Sequence, residues 1–313
     1  MNVLLIILSA LFFGPFLISV PPLTNTVDPT TLADSDSRFA DVEQLHVHYK
    51  ETGRAAPAFL LLHGFGASVF TWREVMDDFG EMGRTVAYDR PAFGLTQRPV
   101  TWTNTNPYGD AAQVSIAMGL LDSLQIERAV WVANSAGARV AVDAALQFPE
   151  RVIALVLVDP AIGSASSWLR PLLHTPQLEH VGPRLVRSIA DHGDDTIRKA
   201  WHDPNLVSPA VIAGYRKPLQ ARDWDKALWE FTSADRDAGI EQRIGQLAMP
   251  TLVITGDDDR IVATQHTIDL AGRIPGSRLV VLPNCGHVPQ EECPGPFMDA
   301  VRAFLKDVAP TAP

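Results

Sequence analysis

Three side chains widely separated along this sequence, Ser135, Asp259 and His287, belong to the types that carry out acyl transfer together. A serine hydroxyl is inert at neutral pH and needs a base within hydrogen-bond reach, a role suited to an imidazole. A carboxylate holds that imidazole in the right tautomer and stabilises the imidazolium that forms. Ser135 lies in Ala133-Asn134-Ser135-Ala136-Gly137, between the apolar run Ala129-Val130-Trp131-Val132 and a helix-like stretch over 138–146. A serine caught between a buried strand and a helix sits on a sharp turn that pushes its hydroxyl out of the sheet edge. Small residues two positions to either side let such a turn close, and Ala133 and Gly137 meet that demand. Asp259 follows a later apolar run and His287 the last one. Asp257 and Asp258 compete with Asp259 by proximity, as does Asp159 in Asp159-Pro160, which also reads as a strand end opening the next segment.

These residues need a frame. Short apolar runs at 58–62, 85–88, 129–132, 153–158, 251–255 and 279–282 alternate with helical patterns near 69–79, 111–124, 264–273 and 296–307. Near-continuous apolar strands alternating with helices predict a mostly parallel sheet covered on both faces. Upstream, Leu45, Val47 and Tyr49 alternate with His46 and His48 at a strand's period of two. That spacing puts both histidines on one face, read as solvated because no third metal ligand is in sight. Residues 163–246 lack a strand signal, are rich in helix formers and carry Trp168, Trp201, Trp224 and Trp229. They read as an inserted helical cap, with Trp168, Trp224 and Trp229 as candidate substrate contacts. The organisation expected is a hydrophobic segment over 1–22, a linker over 23–42, core over 43–162, cap over 163–246 and core again over 247–313.

Composition narrows the partners. Of 313 residues, 46% are hydrophobic and 20% charged, which is ordinary globular usage. The net charge of −10 argues against a nucleic-acid partner, which calls for a basic stripe. Residues 3–20 are almost wholly apolar, about the minimum length for a bilayer span. A retained membrane anchor and a cleaved secretory signal both fit this segment. The lack of Lys or Arg ahead of it and of a small-x-small cleavage site favours the anchor. The expected location is therefore membrane-anchored, or exported if the segment is removed. Cys285 and Cys293, the only cysteines, flank His287 closely; a local disulfide and two thiols both fit. No phosphate-binding glycine loop, dinucleotide fingerprint or metal-type cluster is present, so no cofactor or metal is expected.

Taken together, His63-Gly64-Phe65-Gly66, Asp89-Arg90-Pro91-Ala92-Phe93-Gly94, the Ser135 turn, Gly256-Asp257-Asp258-Asp259 and Gly286-His287-Val288-Pro289 resemble the α/β-hydrolase family in order and spacing. The resemblance spans nearly everything after the N-terminal segment; Ala133 stands where the family more often has glycine. It implies a nucleophile elbow at Ser135, a catalytic triad of Ser135, His287 and Asp259 (the fourth residue of Gly-x-x-Asp), and an oxyanion hole from the backbone N–H groups of Phe65 and Ala136. His63 would support the oxyanion turn, and Asp89-Arg90-Pro91 would be mainly structural. A serine, rather than a carboxylate, at position 135 argues against the dehalogenase and epoxide-hydrolase branches. The implied activity is a carboxylesterase-like serine hydrolase acting on a small or medium, mostly apolar ester. Capped relatives also include C–C bond hydrolases acting on ring-cleavage dienoates and cofactor-free haloperoxidases. A ligand-binding receptor that keeps the triad without turnover is the alternative from another class.

Overall fold

The computed structural model describes residues 2–103, 105–163, 170–236 and 239–308. Eight strands form one sheet: β1 (Arg38–Val42), β2 (Leu45–Thr52), β3 (Ala58–Leu62), β4 (Arg84–Tyr88), β5 (Ala129–Asn134), β6 (Val152–Val158), β7 (Thr251–Gly256) and β8 (Arg278–Leu282). Their spatial order is β1-β2-β4-β3-β5-β6-β7-β8. β1 pairs antiparallel with β2 and β2 with β4, and every later pairing is parallel. Helices α1 (Asn2–Leu17), α2 (Met76–Met82), α3 (Asp110–Ser123) and α4 (Gly137–Gln147) come before the break. Between β6 and β7 lie α5 (Arg170–Leu173), α6 (Pro176–Val186), α7 (Ser188–Ala200), α8 (Pro209–Arg216), α9 (Trp224–Ser233) and α10 (Ile240–Arg243), with no strand among the described residues there. α11 (Thr264–Ala271), α12 (Pro289–Glu292) and α13 (Pro294–Asp307) complete the chain.

The apolar runs make this architecture by alternation. Leu60, Leu62, Trp131, Ala133, Leu155, Leu157 and Val253 pack on one sheet face with α3 and α4. Phe59, Leu61, Val130, Val132, Val156, Val158, Leu252 and Ile254 pack on the other with Trp72, Phe79, Phe297 and Val301. A strand that feeds two cores has no solvent face and therefore reads as continuously hydrophobic. Sequential strands diverge to opposite sides of β3, with β4 on one side and β5 on the other. Such a switch in strand order opens a crevice at the carboxyl ends, the usual ligand position in open α/β sheets.

Several expectations change. The stretch expected as one helix over 69–79 is a 3₁₀ turn, Val69–Trp72, opened by the Ser68 side chain and followed by α2. His48 is not on a solvated face; it is 1% exposed, with Nδ1 2.6 Å from Asp89 Oδ2 and Nε2 2.8 Å from Ser37 Oγ. Its neighbour His46 stacks on Phe39 near the surface. Part of the stretch read as linker is structured: β1 starts at Arg38, and Val27 exchanges backbone hydrogen bonds with Gln220 and Arg222.

The expected membrane anchor over residues 3–20 is corrected, and with it the membrane-anchored or exported location that rested on it. α1 is 16 residues long, so it reaches about 24 Å where the hydrocarbon core needs about 30 Å. No helix among the described residues is long and apolar enough to cross a membrane. Instead α1 runs on through Pro15 and lies against α6, where Gln177 Nε2 donates to Phe12 O and the Phe16 and His180 rings are 5.7 Å apart.

Asp89 ties the frame together. Its carboxylate accepts from His48, from Val69 N–H at 2.7 Å and from Leu95 N–H at 2.6 Å, joining β2, the 3₁₀ turn and the loop after β4. Burial pushes this carboxyl up, but His48 and the hydrogen bonds outweigh it and hold it down at about 2, against an ordinary 3.8. Gly94 adopts φ +51°, and a Cβ there would lie 1.7 Å from the Asp89 carboxyl carbon, so only glycine closes this loop. A folded pKa below the unfolded one contributes stability that is present above the unfolded value and lost as pH falls toward the folded value. Asp89→Asn is expected to lower unfolding free energy by about 2 kcal/mol at neutral pH. It should also flatten the loss of stability between roughly pH 4 and pH 2, as read by urea unfolding.

Candidate active site

Ser135 follows the last residue of β5 at φ +52°, the left-handed conformation of a strained strand-to-helix turn. Its N–H donates to Val158 O at 2.8 Å, and its carbonyl accepts from Ala138 N–H at 3.0 Å and Ala161 N–H at 3.1 Å. The turn closes because Gly137 lets α4 start directly against the end of β3. A Cβ on Gly137 would lie 2.5 Å from Leu62 O and 2.7 Å from His63 O. The adjacent Asn134 amide donates to Val158 O at 3.3 Å and to His287 O at 3.2 Å, joining the elbow to the histidine loop.

His287 Nδ1 lies 2.7 Å from Asp259 Oδ2, with the histidine side chain 8% exposed and the aspartate fully buried. The other Asp259 oxygen accepts from Ile261 N–H at 2.7 Å and Val262 N–H at 2.9 Å. The carboxylate is thus fixed by its own loop and presents one oxygen to the imidazole. An Nδ1–H donating to Asp259 leaves Nε2 as the free acceptor.

His63 is buried at the end of β3, its Nδ1 2.8 Å from Gly64 O while its Nε2 accepts from Arg90 N–H at 3.0 Å. That pattern requires the neutral Nδ1–H tautomer. Burial and the Arg90 charge push its pKa down to about 3, keeping the ring neutral. His63 therefore braces the loop that carries Phe65. Among the described residues, neither the Phe65 nor the Ala136 N–H is spent on an intramolecular hydrogen bond. Ala136 immediately precedes α4, where aligned peptide dipoles add positive potential.

A cavity of about 360 Å³ opens over this end of the sheet, its wall including Ser135, His287, Phe65, Trp201, Trp224 and Arg98. Most of the lining is apolar. Arg98, Asp194 and Arg216 bring charge to it; Arg98 is 6% exposed, its Nη2 donates to Gly94 O, and its Nε and Nη1 have no hydrogen-bond partner. Burial pushes its pKa down to about 10.

Of the tryptophans expected to contact substrate, Trp224 lines this cavity, while Trp229 packs against Gly182 of α6 and is not part of the wall. Trp168 lies outside the described residues. Trp201, Tyr215, Asn134 and Arg98 line the cavity without having been singled out from the sequence; nothing in their spacing marks them. Of the rival acids, Asp258 pairs with His202 and Arg260 near the surface, and Asp257 accepts from Cys285 N–H. Asp159 lies buried behind Asp259.

The ligating atoms of Asp159, Asp259 and His287 lie within 4.8 Å of one another. Within that trio, His287 Nδ1 and Asp259 Oδ2 are already in hydrogen-bond contact. Cys285 and Cys293 are joined by a disulfide, Cα atoms 6.3 Å apart, which removes both thiolates as ligands. That bridge closes the loop carrying His287. Glu292 staples the same loop to the segment after α7, accepting from Gly286 N–H at 2.8 Å, His202 N–H at 2.9 Å and Asp203 N–H at 2.8 Å. His287 N–H itself donates to Ala200 O, at the end of α7.

Comparison with known proteins agrees with this layout. The sequence model of the alpha/beta hydrolase family matches residues 59–300. The chain is 31% identical over 300 residues to a 2-hydroxy-6-oxononadienedioate/2-hydroxy-6-oxononatrienedioate hydrolase of Burkholderia vietnamiensis, covering 91% of this chain and 100% of that protein. It is 29% identical over 270 residues to a 2-hydroxy-6-oxo-2,4-heptadienoate hydrolase of Pseudomonas putida, covering 83% and 93%. A meta-cleavage product hydrolase from Pseudomonas fluorescens superposes with a TM-score of 0.69 at 23% identity, over 87% of this chain and 98% of that one. At that identity the superposition speaks for the shared fold.

Because Glu292 collects three N–H groups, its removal strands several donors at once. Glu292→Ala is expected to lower unfolding free energy by about 1–3 kcal/mol, with Glu292→Gln, which keeps one acceptor oxygen, losing less. Urea unfolding of the two variants checks this.

Proposed function

This chain belongs to the α/β-hydrolase family, and we propose that within it the protein is a serine hydrolase acting on a small or medium, mostly apolar carbonyl substrate. Ser135 is the nucleophile, His287 the general base and Asp259 its orienting acid. The observation that carries this reading is the 2.7 Å Asp259–His287 bond, with His287 and Ser135 on the wall of one cavity. In the first step Ser135 Oγ attacks the carbonyl carbon and gives its proton to His287 Nε2. The tetrahedral oxyanion is received by the Phe65 and Ala136 N–H groups. Such donors contribute roughly 3 kcal/mol each to lowering the barrier, because they are aimed before charge develops. His287 then protonates the leaving group, and water activated by the same imidazole releases the acyl group.

Ester cleavage is the primary reading of the bond broken. Hydrolysis of a C–C bond beside the carbonyl is the second, and two observations favour it. The Burkholderia vietnamiensis and Pseudomonas putida relatives carry the names of hydroxy-oxo-dienoate hydrolases. Arg98, a buried cation with two unpaired nitrogens at the wall of a mostly apolar cavity, suits a substrate bearing a carboxylate.

A fluorophosphonate probe is expected to label Ser135, and an activated ester should give a product burst that Ser135→Ala reduces by at least about 10³-fold. Wild-type turnover in Ser135→Ala overturns the mechanism. Comparing kcat/KM for a chain-length series of esters with that for hydroxy-oxo-dienoates decides the bond, the larger value naming it. Arg98→Met should raise KM for acid-bearing substrates by about tenfold or more, and leave that for neutral esters little changed.

A further inference from the structure

Asp159 directly follows β6 at φ +45°, with its carboxyl fully buried behind the Asp259–His287 pair. Its Oδ1 accepts from Thr255 Oγ1 at 2.7 Å and Gly256 N–H at 3.3 Å. Its Oδ2 is buried with no hydrogen-bond partner so long as both aspartates are ionised. Asp259 is by contrast fully supplied, with two backbone N–H groups on one oxygen and the imidazole on the other. Two ionised carboxylates within 4.8 Å of each other, away from water, repel strongly, and one proton shared between such a pair relieves that. The proton belongs on Asp159, which has fewer donors and the unpartnered oxygen.

We propose that Asp159 is a neutral carboxylic acid whose Oδ2–H donates to Asp259, which makes Asp159 a positioning residue for the Asp259–His287 couple. This rests on the reading of His287 as base and Ser135 as nucleophile. Burial, and then the negative charge of Asp259, push the Asp159 carboxyl well above the ordinary carboxylate range, in the direction the geometry requires. Among the described residues the titratable groups facing Asp159 are Asp259 and His287, while β7 contributes the uncharged Thr255 and Gly256. Kept neutral, Asp159 restricts the charge behind the imidazole to that of Asp259 alone. Ionised, it would add a second negative charge, favour imidazolium and withdraw the base.

Infrared spectroscopy of protein carrying carbon-13 aspartate tests the proton directly. A protonated-carboxyl band is expected at neutral pH in the wild type and absent from Asp159→Asn; a folded wild type without it overturns the proposal. Asp159→Asn keeps a donor toward Asp259 and should hold kcat near wild type. Asp159→Leu has none, and its kcat should fall by about 100-fold, as expected of a misplaced catalytic group, with KM little changed. The low-field imidazole N–H resonance of His287 should shift in the leucine variant and not in the asparagine one. If Asp259→Asn retains turnover while Asp159→Asn loses it, Asp159 is the ionised acid and the proposal is overturned. Should the leucine variant not fold, the infrared band and the asparagine variant still decide. Failure of the underlying mechanism reads differently: Ser135→Ala would keep turnover while the band persisted.

Discussion

The close approach of α4 to the end of β3 is the contact on which the rest of the site depends. Gly137 has no side chain, so the first turn of α4 sits against Leu62 O and His63 O. That seating forces Ser135 into the left-handed region and leaves the Ala136 N–H unspent at the head of a helix. The strain is held in place by backbone hydrogen bonds to Val158, Ala138 and Ala161. A residue in a sparsely populated conformation persists only where its surroundings over-determine it, and β5, β6 and α4 do so here. The same packing brings the loop of Phe65 alongside the elbow, since His63 and Gly64 continue from the strand on which α4 rests.

The second organising relation is between the helices that follow β6 and the sheet. The segment between β6 and β7 supplies most of the apolar cavity wall, yet it also grips the loop that holds His287. Glu292 gathers N–H groups from both sides of that seam, and Ala200 O receives the His287 N–H. Glu291 does the same for α8, accepting from Tyr215, Thr71 and Arg73. A buried acceptor shared among several donors is costly to vacate, so these helices are joined to the cavity end of the sheet by polar as well as apolar contacts. The cavity wall and the placement of His287 are therefore properties of one interface.

Buried charge follows a consistent logic in this interior. Asp89 is kept ionised by three donors, His63 is kept neutral by burial beside Arg90, and Asp159 is driven toward its neutral form by burial and then by the charge of Asp259. In each case the protonation state follows from which donors and charges the fold places nearby. Residues of the same type, such as Asp89 and Asp159, end in opposite states because their neighbours differ.

Much of the frame was legible in the amino-acid order, because a sheet covered on both faces leaves continuous apolar runs and a strand-to-helix elbow demands small residues at 133 and 137. The mostly parallel sheet and the family follow from such local, steric signals. Other features were not legible. β1 lies in a polar stretch with no such run, and His48 is buried only because Asp89 and Ser37 come to it from elsewhere in the chain. An apolar N-terminal run looks the same whether it crosses a bilayer or lies along a cap helix, and helix length together with docking on α6 separated the two. Periodicity could not tell Trp224, which faces the cavity, from Trp229, which faces α6, nor pick out Trp201, Asn134 or Arg98. Composition and short-range sterics determine which elements form and where a turn must close. Which side chains then share a cavity, a proton or a charge depends on contacts between residues distant along the chain, and only the tertiary structure decides those.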